Sequence, residues 1–129
     1  MQSAPQPLYR QGETYWCEPD PNDTVGSEQA GDRIWLIVSQ STRAKCIVGL
    51  PLSRHTDKAG PPFLIPIPSS EIKVIDGGPE MDRIALTDQI RCLDKSRLRK
   101  QSGSVTKRAL YSIFSGIDRM MGRSYTIPH

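Results

Sequence analysis

Ile34-Trp35-Leu36-Ile37-Val38-Ser39 is too short and too continuously apolar for an amphipathic helix, and reads as a strand buried on both faces. Just before it lies Val25-Gly26-Ser27-Glu28-Gln29-Ala30-Gly31-Asp32-Arg33, a polar loop bracketed by glycines that delivers Arg33 to the strand start. Upstream, Thr14–Glu18 has the aromatic, β-leaning make-up of a first strand, stopped by Pro19 and Pro21. Downstream, Lys45–Leu52 is the next strand, and Gly49 and Pro51 inside it imply a bulge, a bend or an edge. Ser53 sits where that strand ends.

Beyond a polar loop, Phe63–Pro68 is apolar but twice interrupted by proline, which suits an edge strand or an extended connection. Glu71–Ile75 alternates weakly, and Asp76-Gly77-Gly78-Pro79 is a turn. Arg83–Leu86 and Ile90–Leu93 form two short strands or one bulged strand, and Asp94–Leu98 a single helical turn. A helix capped by Ser104 presents Val105, Ala109, Leu110, Ile113, Phe114, Ile117 and Met121 as one apolar stripe, and Gly122 stops it. Short strands with glycine and proline corners, closed by one C-terminal amphipathic helix, predict a mainly β fold: a small half-open antiparallel barrel.

At 129 residues with 36% hydrophobic content, the chain fills a single core. Residues 1–11 are a polar, proline-bearing tail, 12–121 the one domain, and 122–129 a second tail expected to fray. No apolar run approaches the roughly 20 residues needed to cross a bilayer, and the first residues lack a signal pattern. The expected location is cytoplasmic. Cys17, Cys46 and Cys92 show no paired spacing and read as small buried hydrophobes; with only His55 and His129 besides, no metal or other cofactor is expected.

Charge is unevenly distributed although the net value is only +3. Residues 1–32 hold six acids against one base, and residues 91–108 hold seven bases against one acid. That polarity fits a basic surface for a polyanion and fits a solvated charged face equally well. Arg33, Ser53 and Asp88 each fall at a strand end, from which side chains of a small barrel converge on a groove. The bland alternative makes them a surface cation, a turn hydroxyl and a hydrogen-bonding cap.

Three ordered blocks resemble the MazF/PemK toxins of toxin–antitoxin systems. The first is Gly12-Glu13-Thr14-Tyr15-Trp16, then Asp20-Pro21, then Val25 to Arg33. The second is Leu50-Pro51-Leu52-Ser53, and the third Asp88-Gln89-Ile90-Arg91-Cys92-Leu93-Asp94-Lys95-Ser96-Arg97-Leu98. The resemblance spans roughly residues 12–121.

It implies an SH3-like barrel of the CcdB/PemK type, assembled as a homodimer. It also implies a metal-independent endoribonuclease that cuts single-stranded RNA to 2′,3′-cyclic phosphate and 5′-hydroxyl ends. An antitoxin tail neutralises it, and the antitoxin complex binds DNA. Carried over residue by residue, Arg33 stabilises the phosphorane, Ser53 contacts the scissile phosphate and Asp88 lies near the reaction centre. Ser27, Glu28, Gln29, Gln89 and Arg54 line the RNA groove. The general base stays open between Asp88 and Glu28, since a guanidinium titrates far above neutrality. Three positions depart from the family pattern: Ile34 stands where proline is usual, Ser53 replaces threonine, and Leu86 occupies the place of a second arginine. The alternative is a family member that acts by binding, as a CcdB-like gyrase poison or an RNA or antitoxin binder.

Overall fold

The computed structural model describes residues 9–18, 33–40, 45–56 and 60–122. The apolar run forms β2 (Arg33–Ile37), flanked by β1 (Glu13–Cys17) and β3 (Cys46–Ser53), both antiparallel to it. Alternation along the strand sends Ile34 and Leu36 into one hydrophobic cluster and Trp35 and Ile37 into another on the opposite face. β2 is thus buried on both sides, as its unbroken hydrophobicity requires.

Five more strands follow: β4 (Leu64–Ile67), β5 (Ile72–Val74), β6 (Arg83–Leu86), β7 (Arg91–Asp94) and β8 (Leu98–Val105). Their order across the sheet is β4-β6-β3-β2-β1-β8-β5, with β7 also on β3, and every pairing is antiparallel. β4 and β5 lie at opposite ends of that order yet are joined by residues 68–71. Such a link spans at most about 18 Å, whereas seven flat strands would separate the edges by roughly 29 Å. The sheet therefore curls into a half-barrel, and β5 straps its open side.

The helix α1 (Lys107–Met121) closes the inner face, where Ala109, Leu110, Ile113 and Ile117 pack on Leu36, Leu50, Ile65 and Ala85. It starts later than a Ser104 cap implies. Thr106 is the cap, its hydroxyl accepting from the Ala109 N–H at 3.2 Å, while Ser104 and Val105 belong to β8. Met121 is exposed rather than part of the buried stripe. Gly122, at φ 68°, takes the left-handed conformation that ends the helix and donates to the Arg119 and Asp118 carbonyls.

Three other expectations are revised. Of the bulge, bend or edge implied for β3, the edge is excluded: β3 is a central strand, and Pro51 fits because it falls between the last β7 pair (Gly49 with Arg91) and the first β6 pair (Leu52 with Ala85). No ladder donor is needed there. Only Cys17 is buried; Cys46 and Cys92 are exposed because they alternate with the buried Ile47 and Leu93. β8 is a strand that composition conceals, since most of its residues are polar. The 3-10 turn Thr87–Gln89 resolves the Arg83–Leu93 region into two strands, and a second such turn, Lys95–Arg97, is capped by Asp94. Among the described residues no helix is long and apolar enough to cross a membrane.

Candidate active site

Arg33 opens β2 and Ser53 ends β3. Their strands pair Trp35 with Pro51 and Leu36 with Leu50, so the same register continued by two residues sets Arg33 opposite Ser53. Both line a cavity of about 410 Å³ between the inner surface of the curled sheet and the strap. Arg54, the residue after Ser53, lines it too. The Ser53 Oγ accepts from the His55 backbone N–H at 3.0 Å, which leaves its own proton to donate.

The strap is tied down residue by residue. The Thr106 hydroxyl donates to the Glu71 carboxylate, and the Thr106 N–H donates to the Glu71 carbonyl at 3.0 Å. Ile72, Lys73 and Val74 pair with Val105, Ser104 and Gly103. The Ile75 N–H then donates to the Ser102 carbonyl at 2.9 Å. Finally Asp76 accepts from the Trp16 indole N–H at 2.9 Å and from the Gly78 N–H at 3.0 Å. Those two donors, the indole first, hold its carboxyl below the usual range, so Asp76 is ionised at neutral pH and a weak proton acceptor.

Sequence reasoning missed two cavity residues, Arg83 and Asp76. Arg83 lies between the second and third matched blocks, five positions before Asp88, and Asp76 sits in a segment that spacing shows only as a turn. The Arg83 guanidinium is half-buried and donates to the Leu52 carbonyl at 3.5 Å. Burial, followed by the charge on Arg54, lowers its proton affinity, and Asp76 opposes the shift. Among the described residues, Arg33, Arg54 and Arg83 bring three guanidinium groups to one cavity, and Asp76 is its one carboxylate. Like charges brought together in this way favour an incoming anion.

Asp88 and Gln89 are placed differently. Both stand exposed on the Thr87–Gln89 turn, two and three residues beyond the cavity-lining Leu86, and neither lines the cavity. Ser27, Glu28 and Gln29 lie outside the described residues. Among the described residues no group of three or more His, Cys, Asp or Glu gathers to hold a metal ion.

Much of the basic segment 91–108 is occupied with the fold. Arg91 stacks over Trp35 with its guanidinium carbon 5.2 Å from the ring centre, and the Lys95 ammonium lies 6.0 Å from that of Tyr9. Arg97 donates to the Glu18 carbonyl at 2.7 Å, and Arg99 pairs with the Glu18 carboxylate at 2.9 Å. Trp35 belongs to the outer cluster, whereas Ile34, Leu52 and Trp16, which line the cavity, pack with the inner one.

Residues 10–121 match the family described as PemK-like, MazF-like toxins of type II toxin–antitoxin systems. The chain is 27% identical over 118 residues to the endoribonuclease MazF of Staphylococcus saprophyticus, covering 89% of this chain and 92% of that protein. The Staphylococcus epidermidis protein of the same name gives the same figures. Among solved structures, MazF from Deinococcus radiodurans superposes with a TM-score of 0.67 at 21% identity, covering 91% of this chain and 99% of that one. A mycobacterial endoribonuclease in complex with its cognate antitoxin gives a TM-score of 0.59 at 19% identity, covering 92% and 97%. At these identities the two structures establish the shared fold.

Proposed function

The chain belongs to the PemK-like, MazF-like toxins of type II toxin–antitoxin systems and is an endoribonuclease of the MazF type, and we propose that it cuts single-stranded RNA in the cavity bounded by Arg33 and Ser53, without a metal ion. The observation that carries this reading is the meeting of three arginines and a hydroxyl donor on one cavity. RNA brings its own nucleophile. The ribose 2′-oxygen loses its proton and bonds to phosphorus, the bond from phosphorus to the 5′-oxygen breaks, and that oxygen takes a proton. The products are a 2′,3′-cyclic phosphate and a 5′-hydroxyl.

In this scheme the extra negative charge develops on the non-bridging phosphate oxygens. Arg33 meets it with the planar fork of donors of its guanidinium. Ser53 donates its hydroxyl proton to one of those oxygens. Arg54 and Arg83 hold the phosphates of the substrate chain and supply positive charge where other nucleases use a metal ion. Asp88 and Gln89, exposed beyond the cavity rim, are assigned contacts with RNA outside it. Asp76 is a poor candidate for the general base, since its two donors favour the ionised form.

The positive cavity also fits the acidic tail of a cognate antitoxin, a partner that the mycobacterial relative is seen to bind. Two copies of this chain are proposed to form the working unit.

Incubation of purified protein with mixed single-stranded RNA in excess EDTA tests the reading. Cleavage at wild-type rate with cyclic phosphate ends is expected. Loss of all cutting under chelation would contradict the metal-free scheme.

A further inference from the structure

The cavity's lining is of two chemical kinds: the arginines, and the side chains of Trp16, Ile34, Leu52, Ile72, Val74 and Met81, which make an apolar compartment beside the strap. Among the described residues Asp76 is the one carboxylate that lines it, and the buried hydroxyls of Thr14 and Ser102 line it too, 2.7 Å apart. We infer that the compartment is a nucleobase subsite, in which Asp76 selects an unstacked RNA base that carries an exocyclic amino group. The inference rests on the ribonuclease reading above and adds what that reading leaves open, the kind of base recognised.

A carboxylate offers about four acceptor positions. Among the described residues, the Trp16 indole takes one on Oδ2 and the Gly78 N–H one on Oδ1, so each oxygen keeps a position for a ligand. Two adjacent acceptors match the paired donors of guanine, its ring N–H and its 2-amino group. Adenine and cytosine offer one amino donor each. Uracil places carbonyl oxygens on both sides of its single ring N–H, and a carboxylate repels them. Asp76 stays ionised near neutrality because its two donors favour the charged form, so it presents acceptors only.

Size and polarity agree. The cavity's volume falls within the roughly 300–1,000 Å³ typical of small-ligand sites. One proton of the Thr14 and Ser102 hydroxyls serves their mutual bond, and the other is left to donate to a ring nitrogen or carbonyl. The arginines that line the same cavity suit the phosphates that flank the base, and this charge pattern favours RNA over a neutral or cationic ligand.

Sequencing of the 5′-hydroxyl ends left by the wild type and by Asp76→Asn tests the inference. The wild type is expected to disfavour uracil at one fixed position beside the cut, and the variant to lose that bias there while keeping its preferences elsewhere. In an oligonucleotide with the preferred site, the base is then replaced by its analogue lacking the amino group: inosine for guanine, purine for adenine, pyrimidin-2-one for cytosine. The wild-type kcat/KM should drop roughly tenfold, and that of Asp76→Asn less than twofold.

An unchanged pattern of sites in the variant would overturn the inference while leaving the nuclease intact. So would equal sensitivity to the analogue in both proteins. A variant altered only in its affinity for a cationic peptide would reassign the compartment to a protein partner. A wild type that cuts no RNA would instead remove the ribonuclease reading on which the inference stands.

Discussion

Arg33→Ala should lower kcat/KM for single-stranded RNA by roughly 10²–10³-fold, the range lost when one preorganised donor to a developing oxyanion is removed. Arg33 is half-buried at the first position of β2 and lines the cavity. Its replacement should change stability by no more than about 0.5 kcal/mol, because β2 is held chiefly by Ile34 to Ile37 in the two hydrophobic clusters. Arg33→Lys keeps the charge but loses the planar fork, so it should recover only part of the rate. Steady-state cleavage of a labelled oligonucleotide, paired with denaturant unfolding of each variant, separates loss of chemistry from loss of fold. An alanine variant that cut at the wild-type rate would move the reaction away from this strand end.

Gly103→Ala should have the second large effect, acting through the strap. Gly103 lies in β8 between β1 and β5, opposite Thr14 on one side and Val74 on the other. A Cβ at this position would come within 1.8 Å of the Lys73 carbonyl oxygen, and that neighbour is backbone, unable to rotate aside. The β5–β8 ladder must therefore separate. The expected cost is at least about 2 kcal/mol, at the upper end for overpacked sites. Amide exchange should accelerate at Lys73 to Ile75, and RNA cleavage should weaken because Asp76 and Val74 leave the cavity wall. Gly60→Ala is the control, since nothing lies within 4 Å of its added Cβ. A Gly103→Ala protein with wild-type stability and wild-type protection along the strap would refute the close-packing account.

Individual elements show how far sequence reasoning reaches here. β2 was legible because it is buried on both faces, and burial of that kind demands an unbroken apolar run. β8 was not. Leu98-Arg99-Lys100-Gln101-Ser102-Gly103-Ser104-Val105 has almost no apolar signal, since small residues fill the places where β1 and β5 approach it closely. Strand propensity depends on such context more than on the residue itself. The helix start was misplaced by two residues because Ser104 and Thr106 are both good caps; the hydrogen bonds to Glu71, 35 positions away, select Thr106. The exposure of Cys46 and Cys92 could have been read from their alternation with Ile47 and Leu93.

The site divides in the same way. Arg33 and Ser53 were legible from family blocks and strand ends, and the β2–β3 register brings them together. Asp76 is held at the cavity wall because Trp16, 60 residues earlier, reaches across to it. Arg83 becomes part of the cavity because β6 pairs with the end of β3, beside Ser53. Neither relation leaves a trace in local spacing. The basic run at 91–108, prominent in composition, proves largely engaged with Trp35, Tyr9 and Glu18.

The most direct test of the cavity as the RNA site is a structure with a 2′-O-methyl RNA oligonucleotide, whose blocked nucleophile prevents cutting. The predicted result is a phosphate within hydrogen-bond distance of both Arg33 and the Ser53 hydroxyl, with the adjoining base under the strap. An oligonucleotide tracking Arg91, Lys95, Arg97 and Arg99 instead, with the cavity vacant, would contradict the account.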